Sequence, residues 1–450
     1  MQDHEPPPPS PPSLASPLSR IVIVGGGFAG TTLARALESR LPPGWQVLLI
    51  SEESYTTFNP MLAEVVGASV FPEHVVAPIR QMLRKSRFVM GRVIGADLPQ
   101  RLLTAQTLAG AQTVGYDHLV LAFGTRANLA LVPGLAEHAL PLKLVGDALH
   151  IRNRVLQRVA RIELESDPAL RRRLGRFVVI GGGFSGVEVA GELADFLAGA
   201  RRYYPRVRDG ELGVTLLHDT ERLLPELPPS LGLKAADSLR ARGVDVRVVA
   251  RARAVDADGV TLKGDERIES ATVICTIGTR TNPLAEALGL STQRGRIVTD
   301  GDLSVPGARG VWAIGDCALV RNHADASGGF APPTAQFAVA QAQALARNLL
   351  QHIEGRDTTR FGHVSRGMMA TTGHLKGVAQ VAGLRLSGLP AWLLWRAYYL
   401  LRMPTFGRKL RIWVEWTWGM CFAADITHLR FTRTAEIDAV PEPVSPSPTP

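Results

Sequence analysis

The sequence has little cysteine. Three residues among 450, Cys275, Cys317 and Cys421, lie far apart along the chain. No two of them form a CxxC pair, which excludes a dithiol redox motif and a zinc knuckle. A small fold held together by disulfides is excluded as well. We therefore expect no metal centre and a reducing compartment.

Long apolar runs are also missing. No stretch of about 20 uncharged apolar residues occurs, so we expect no ordinary transmembrane helix. Residues 1–20 have an acidic start and seven prolines where a signal peptide would have an apolar core. Hydrophobic residues still make up 46% of the chain. At roughly 150 residues per domain, the length predicts two to three globular domains.

Acidic residues are scarce in one region. The net charge is +9, and residues 361–434 contain ten Lys or Arg against two Asp or Glu. Five of the seven tryptophans also lie there, between Trp392 and Trp418. Basic residues mixed with aromatic ones favour a membrane surface over a nucleic acid. We expect two apolar-aromatic segments, 389–401 and 412–424, with a basic turn at 407–411 between them. We expect this stretch, residues 389–424, to dock on a membrane, although a buried helix pair or a homodimer contact would use the same residues.

An internal repeat is the clearest feature of the chain. Residues 20–30 recur as residues 176–186, and each copy is a β-branched run, a glycine turn and a helical pattern. This order predicts two βαβ units with parallel sheets. The turns match GxGxxG, with Gly25, Gly27 and Gly30 in the first and Gly181, Gly183 and Gly186 in the second. Such glycines permit a tight turn, close approach of a pyrophosphate and close helix–strand packing.

The residues around these turns complete two predicted dinucleotide sites. Each helix is opened by the residues between its last two glycines, which are Phe28 and Ala29 in the first unit and Phe184 and Ser185 in the second. A helix N-terminus there favours the negative charge of a pyrophosphate. Two such sites in one chain imply an electron relay, in which one dinucleotide is a bound flavin and the other a diffusible hydride donor.

An acidic residue usually follows the second strand and binds the ribose hydroxyls. The candidates are Glu52 and Asp219, each one residue later than the usual position, and solvated loop acids are the alternative interpretation. A carboxylate repels a 2′-phosphate, so Asp219 favours NADH. His218, directly before it, leaves NADPH open.

Further segments resemble the flavoproteins with two dinucleotide-binding domains. The similar segments are 311–318, 116–125 and 276–283. Within that group, the chain is most similar to the type II NADH:quinone oxidoreductases. This closer resemblance depends on residues 55–62, 186–192 and 332–336 and on the Trp-rich basic C-terminal region. It covers about residues 19 to 435.

The resemblance implies roles for individual residues. Asp316 would bind the ribityl chain of FAD, and Glu188 corresponds to the family glutamate near the nicotinamide–flavin junction. Ala335 and Gln336 would begin a helix that points at the isoalloxazine and lines the quinone pocket. The strand-to-loop crossovers would contact the cofactors through Gly124, Thr125 and Gly278. The family has a second glutamine four residues after the first, whereas here Gln341 comes one residue later.

The expected fold is α/β, with two Rossmann-like domains in a glutathione-reductase-like arrangement and a C-terminal membrane-associating segment. A Pro-rich tail covers residues 1–19, and the FAD domain covers 20–150 and 296–360. The NAD(P)H domain is inserted at 151–295. A membrane-docking region at 361–435 and a second tail at 436–450 follow.

The expected reaction is the transfer of electrons from NADH through FAD to a membrane quinone, without proton pumping. The enzyme would be attached peripherally to the cytoplasmic face of the cell inner membrane. Three alternatives remain open: a sulfide:quinone oxidoreductase, a soluble ferredoxin reductase, and a flavoprotein that senses NADH with little turnover. The first needs a cysteine pair at the flavin, and the three cysteines are poorly placed for one.

Overall fold

The computed structural model describes residues 18–429. The predicted tails therefore lie almost wholly outside the described residues. The part up to residue 138 contains strands β1 (Ser19–Val24), β2 (Trp45–Ser51), β3 (Tyr55–Thr57), β4 (Val76–Pro78), β5 (Arg87–Asp97), β6 (Leu102–Thr107), β7 (Gly110–Gly115), β8 (His118–Leu121) and β9 (Thr125–Ala127). Its helices are α1 (Phe28–Leu37), α2 (Leu62–Val66), α3 (Ile79–Met82) and α4 (Leu135–His138).

The middle of the chain forms the second βαβ unit. Its strands are β10 (Ala139–Pro141), β11 (Arg176–Ile180), β12 (Gly213–Leu217), β13 (Asp245–Arg247), β14 (Ala252–Asp256), β15 (Gly259–Leu262), β16 (Arg267–Glu269), β17 (Thr272–Cys275) and β18 (Thr279–Thr281). Its helices are α5 (Val145–Leu164), α6 (Pro168–Gly175), α7 (Phe184–Arg201), α8 (Pro229–Arg240) and α9 (Pro283–Ala287).

The last part returns to the first unit and then forms a small sheet and two helices. Its strands are β19 (Thr292–Gln293), β20 (Arg296–Val298), β21 (Val311–Ala313), β22 (Ala318–Leu319), β23 (Gly367–Thr371), β24 (Gly377–Val381) and β25 (Leu384–Ser387). Its helices are α10 (Ala335–Ile353), α11 (Leu389–Arg402) and α12 (Phe406–Cys421). Short 3₁₀ helices lie at Asn59–Met61, Pro72–His74 and Gly315–Cys317.

The first sheet has the strand order β21-β8-β1-β2-β5-β6-β7. Its first five strands are parallel, while β5, β6 and β7 form an antiparallel meander. Four consecutive residues of β1, from Ile21 to Val24, are buried apolar side chains. Such a run is typical of a parallel strand covered on both faces. Helices α1 and α10 pack against each other beside this sheet.

The second sheet is wholly parallel, in the order β10-β17-β11-β12-β13. The predicted boundary between residues 150 and 151 falls inside α5, and β10 before it already belongs to this sheet. The second unit thus begins earlier than the sequence predicted, because β10 is too short to show a periodicity of its own. The antiparallel pair β9–β18 connects the two units.

The C-terminal region packs onto the second unit. Strands β23, β24 and β25 form an antiparallel meander that α11 covers, and α12 contacts α11. Trp395 and Trp416 are buried on the inner faces of these two helices. The basic residues 407–411, predicted as a turn, are helical and belong to α12. Gly407 lies in the first turn of that helix, where a helix tolerates a residue without side-chain contacts.

Candidate functional site

The first glycine turn has the geometry of a phosphate-binding loop. Gly25 has φ +114°, and a Cβ atom there would collide with the backbone of Ala122. A Cβ atom on Gly30 would collide with the carbonyl of Gly25. Gly27, by contrast, has open space where its Cβ would be. Packing within the protein therefore explains the outer two glycines, and close approach of a ligand explains the middle one.

The second turn repeats this geometry. Gly181 has φ +118°, and its Cβ would lie 2.6 Å from Thr276 Oγ1. A Cβ on Gly186 would collide with the carbonyl of Gly181, whereas Gly183 again faces open space. Each turn leads directly into a helix, α1 or α7, whose N-terminal amide groups favour an anion. Both turns thus fit the pyrophosphate of a dinucleotide.

The residue beside the glycine turn is not the predicted carboxylate in either unit. A Cβ on Gly26 would lie 2.6 Å from Ser51 Oγ, and one on Gly182 would lie 2.6 Å from His218 Cγ. The amide of Gly182 donates to His218 Nδ1 at 3.1 Å, and His218 Nε2 lies 2.8 Å from Thr220 Oγ1. Because Nδ1 accepts this hydrogen bond, His218 is neutral here, and burial lowers its pKa.

The predicted ribose ligands lie one residue further on, at the surface. Glu52 Oε1 accepts from Arg126 Nη2 at 2.7 Å. Asp219 is exposed, with Oδ1 3.6 Å from His218 Nδ1. Both carboxylates are within the loop that follows the second strand, so their role as ribose ligands stays a prediction.

Asp316 follows β21 in the short helix at Gly315–Cys317. Burial raises the pKa of its carboxyl group, against the opposing charges of Lys143 and Arg296. Within residues 18–429, no protein group makes a hydrogen bond to this carboxylate. A half-buried carboxylate without a protein partner fits a hydroxyl-rich ligand such as a ribityl chain.

Gln341 holds the Asp316 loop in place. Its Oε1 accepts from the amide of Gly315 at 2.7 Å, and the side chain is buried. The one-residue shift relative to the family pattern therefore places this glutamine on the inner face of α10. Its contact is with the loop of the predicted flavin site and not with solvent.

The N-terminus of α10 is where Ala335 and Gln336 lie. Thr334 caps the helix by accepting from the amide of Phe337 at 3.5 Å. Gln336 Nε2 is 3.3 Å from His363 Nε2, and Ser365 Oγ donates to Gln336 Oε1 at 3.4 Å. The side chain of Gln336 is thus oriented by a loop that the sequence did not indicate.

Gly124, Thr125 and Gly278 lie in the crossovers that connect the two units. Gly124 and Gly278 have positive φ values of +64° and +73°, which glycine adopts without strain. Lys143 Nζ lies 3.3 Å from Thr125 Oγ1. Gly124 and Thr125 follow β8, and Gly278 follows β17, at the carboxyl ends of parallel strands where a ligand is expected.

Glu188 lies in the first turns of α7 and is buried. Its Oε1 accepts from the amide of Thr371 at 3.2 Å and from Trp395 Nε1 at 3.0 Å. Burial raises the pKa of Glu188 to about 8. The carboxyl group lines a small cavity that both units form, together with Asn59, Leu62, Ala63, Leu142, Lys143 and Ser185. A buried carboxyl group with a raised pKa therefore lies at the junction of the two units.

Three ionisable groups, Glu64, Glu192 and Arg396, form a cluster behind Glu188 that the sequence did not predict. Glu64 accepts from Trp416 Nε1 at 3.2 Å, and Glu192 accepts from Ser69 Oγ at 2.8 Å. Burial raises the pKa of both carboxyl groups, and Arg396 is the opposing charge. The position of Glu192, one helical turn after Glu188, is the only signal that the sequence offers for this cluster.

The cysteines do not form a redox pair. Cys275 and Cys317 are buried and Cys421 is exposed. Burial raises the pKa of Cys317 to about 12, which makes its thiol a poor nucleophile. Among residues 18–429, no group of His, Cys, Asp and Glu side chains has the arrangement of a metal site.

The outer faces of α11 and α12 carry exposed apolar side chains. They are Leu393, Leu401, Phe406, Leu410, Trp413, Val414, Trp418 and Met420. Arg402 and Arg411 lie exposed among them. This set, which we call the C-terminal apolar face, is unlike the rest of the surface in its density of large apolar groups. Over the described part of the chain, no helix meets the length and hydropathy needed to span a bilayer.

Comparisons with known proteins define the class. The family model of the pyridine nucleotide-disulphide oxidoreductases matches residues 19–342. This range includes both glycine turns, Asp316 and the start of α10. The class, and with it the expected fold of two dinucleotide-binding units, is confirmed.

Two sequence relatives and one solved structure identify the family to which the chain belongs within this class. The chain is 32% identical to the type II NADH:quinone oxidoreductase NdhA of Mycobacterium tuberculosis, over 91% of this chain and 88% of that protein. It is 30% identical to Ndh of the same organism, over 88% and 87%. The fold matches the structure of NDH2 from Plasmodium falciparum in complex with NADH with a TM-score of 0.85 at 17% identity, covering 91% of this chain and 99% of that one. The chain belongs to the type II NADH:quinone oxidoreductase family.

Proposed function

We propose that this chain oxidises NADH at the second glycine turn and passes the electrons, through FAD bound at the first turn, to a quinone. Family membership supports the activity and both cofactors. The observation that carries the residue assignment is the cavity at Glu188, because residues of both units line it.

The first unit holds FAD. Gly25, Gly27 and Gly30 allow the pyrophosphate to approach the N-terminus of α1, where Phe28 and Ala29 supply backbone amides. Asp316 accepts hydrogen bonds from the ribityl hydroxyls, and Gln341 fixes the loop that carries it. When bound, FAD supplies a carrier that takes an electron pair from NADH and delivers it to the quinone. The N-terminus of α10, at Ala335 and Gln336, favours negative charge on the ring.

The second unit binds NADH, which leaves after each turnover. Gly181, Gly183 and Gly186 admit its pyrophosphate at the N-terminus of α7, next to Phe184 and Ser185. Gly278 and Thr125 lie at the crossovers between the two units, where they would contact the isoalloxazine ring of FAD. Glu188 lies one turn into α7 and lines the cavity between the two units, where its carboxyl group would serve as a proton donor.

The C-terminal apolar face docks the enzyme on a membrane. Tryptophan and arginine side chains together suit the boundary between lipid and water. Each basic residue adds about 1 kcal/mol near an anionic surface. Arg396, one of the basic residues that suggested docking, is turned inward and stacks over Trp392 and Trp416, so it contributes to the core. We place this docking on the cytoplasmic side of the inner membrane, where NADH is produced.

The activity is tested with the purified holoprotein. We expect a yellow protein that anaerobic NADH bleaches and that a short-chain quinone recolours. Lack of bleaching by NADH and by NADPH would contradict the dehydrogenase assignment. Bleaching without recolouring by any quinone would favour a flavoprotein that senses NADH.

Docking is tested by flotation with vesicles that contain anionic lipid. Trp413→Glu combined with Trp418→Glu should reduce vesicle binding at least tenfold. The matched control is Leu108→Glu, which alters an exposed apolar side chain at 87% exposure on the β6–β7 turn. If the double variant instead changes a dimer into a monomer and leaves flotation unaffected, the face is a homodimer contact.

A further inference from the structure

The first turn of α10 presents a carboxamide that a distant loop holds. Gln336, the second residue of α10, is half-buried. Its Nε2 lies 3.3 Å from His363 Nε2, and its Oε1 accepts from Ser365 Oγ at 3.4 Å. Both partners belong to residues 361–366, the loop before β23. One side of this loop thus contacts both ends of the carboxamide.

The hydrogen bond between Gln336 and His363 defines the state of the histidine. A carboxamide nitrogen only donates, so His363 Nε2 accepts, and the ring is neutral with its proton on Nδ1. Burial lowers the pKa of His363, and the positive charge of Arg366 lowers it further. Among the described residues, Arg366 is the charged group that influences this pKa. The neutral ring is therefore the form present at neutral pH.

Contacts that do not involve Gln336 fix the position of His363. Its backbone amide donates to Asn322 Oδ1 at 2.9 Å, and its carbonyl accepts from Asn322 Nδ2 at 2.9 Å. Asn322 itself is buried. The imidazole packs edge-on against the ring of Phe337, with the centroids 5.1 Å apart and the planes at 90°. Packing and backbone contacts of this kind hold a functional side chain in one geometry.

The carboxamide of Gln336 has a second hydrogen to donate. Its nitrogen carries two N–H groups, and His363 takes one of them. A quinone has two carbonyl oxygens, and each of them accepts hydrogen bonds. The last torsion of a glutamine side chain has a broad, roughly two-fold preference, so a free carboxamide presents its oxygen as readily as its nitrogen. An oxygen turned toward a quinone carbonyl would repel it.

We propose that neutral His363 is a positioning residue for Gln336, which it orients so that the second N–H of the carboxamide donates to a carbonyl oxygen of the quinone. In this role His363 acts through Gln336. The proposal rests on the proposed quinone reductase function and concerns its quinone half alone. The oxidation of NADH should not depend on this contact.

The contact should depend on pH. Protonation places a hydrogen on His363 Nε2, which can then no longer accept from Gln336. Because the pKa of His363 is lowered, the hydrogen bond persists at neutral pH and is lost as the pH falls below the usual pKa of histidine, about 6.5. We therefore expect the KM for quinone to rise in acid.

The proposal is tested in the holoenzyme with a short-chain quinone. His363→Phe keeps a flat ring against Phe337 and removes the acceptor. We expect the KM for quinone to rise about fivefold, the usual effect of losing one neutral hydrogen bond. The values of kcat and the rate of bleaching by NADH should change less than twofold. In a Gln336→Met background, His363→Phe should have no further effect on the KM.

A conservative variant separates positioning from titration. His363→Gln supplies an acceptor that does not titrate, so its KM for quinone should stay near the wild-type value and remain flat from about pH 8 to pH 5. The matched control is His150→Phe, the same change at an exposed histidine of α5, and it should leave both halves of the reaction unaltered.

Two results would overturn the positioning role. One is a wild-type KM in His363→Phe, and the other is an equal rise in KM whether residue 336 is Gln or Met. Slower bleaching by NADH in both His363→Phe and His363→Gln would also overturn it, because that loss indicates a structural role. A wild-type enzyme that NADH bleaches but no quinone recolours would instead overturn the proposed function.

Discussion

The two glycine turns are nearly identical in backbone geometry, yet the helices that follow them differ. The buried residues of α1 are apolar or small, and α1 packs against α10. The buried residues of α7 include Glu188 and Glu192, and α7 packs against α2 and β23. The same turn therefore precedes one helix that is packed against a second helix and another that carries buried titratable groups.

This difference corresponds to two kinds of ligand. A resident cofactor needs a closed, packed site, which the contact between α1 and α10 provides. A substrate that enters and leaves at each turnover needs an open site with groups that hold and move protons. The glycine turn alone predicts only that a pyrophosphate binds. The side chains of the helix that follows indicate whether the site also has groups that can hold and move protons.

The sharpest test of the comparison blocks each turn separately. Gly27→Leu and Gly183→Leu both place a side chain in space that the protein leaves open, so both variants should fold. We expect Gly27→Leu to be purified colourless. Gly183→Leu should be yellow, with NADH affinity reduced at least 100-fold.

Absorbance spectra and NADH titrations measure these two effects, and circular dichroism of both variants serves as the folding control. If Gly183→Leu were the colourless protein, the assignment of FAD and NADH to the two units would be reversed.

A second test removes the acid that distinguishes the two helices. Glu188→Gln should lower quinone turnover by about 100-fold, the usual range for loss of a general acid. Because the pKa of Glu188 is raised to about 8, the donor is protonated below that pH. Wild-type turnover should therefore fall as the pH rises through about 8, and the variant should lack this limb.

Turnover rates measured from pH 6 to 9 with saturating quinone test whether Glu188 causes this pH dependence. Asp237→Asn serves as the control, since it removes an exposed carboxylate from α8, a helix that carries none of the assigned site residues. A variant that keeps the alkaline limb would show that another group titrates.

The turns and the fold class could be predicted because both depend on local sequence. Glycine spacing after a β-branched run predicts a strand, a turn and a helix without long-range information. The charged cluster could not be predicted in this way. Glu64 and Arg396 are separated by more than 300 residues in the sequence, and only tertiary packing, which places α2 against α7, brings them close enough to influence each other.

The C-terminal region shows a second limit. Residues 407–411 were predicted as a turn because Gly407 and the basic run interrupt the apolar pattern. In the structure they form the first turns of α12, with Trp416 of the same helix buried against α11. Tertiary packing overrides the weak helix propensity of one glycine. The shifted Gln341 is similar, because its role depends on which face of α10 meets Gly315.

A smaller effect is expected at the residue beside each turn. His218→Asp places a carboxylate next to the second turn, where a 2′-phosphate would lie. We expect the ratio of kcat/KM for NADH to that for NADPH to rise about tenfold, because like charges repel. Ser51→Asp is the matched change at the first turn and should leave this ratio unaltered. A drop in the ratio for His218→Asp would contradict the placement of the ribose.

The smallest effects are expected at the exposed carboxylates that follow these positions. Asp219→Asn should raise the KM for NADH about fivefold if Asp219 binds the ribose, since one such hydrogen bond contributes about 1 kcal/mol. Glu52→Gln should weaken flavin binding by less, because Arg126 already neutralises Glu52 at 2.7 Å. Steady-state kinetics measure the KM of Asp219→Asn for NADH, and the rate of flavin release measures flavin binding by Glu52→Gln. Unchanged values for both variants would show that these are solvated loop acids, and the ribose contacts would then fall to Ser51 and His218.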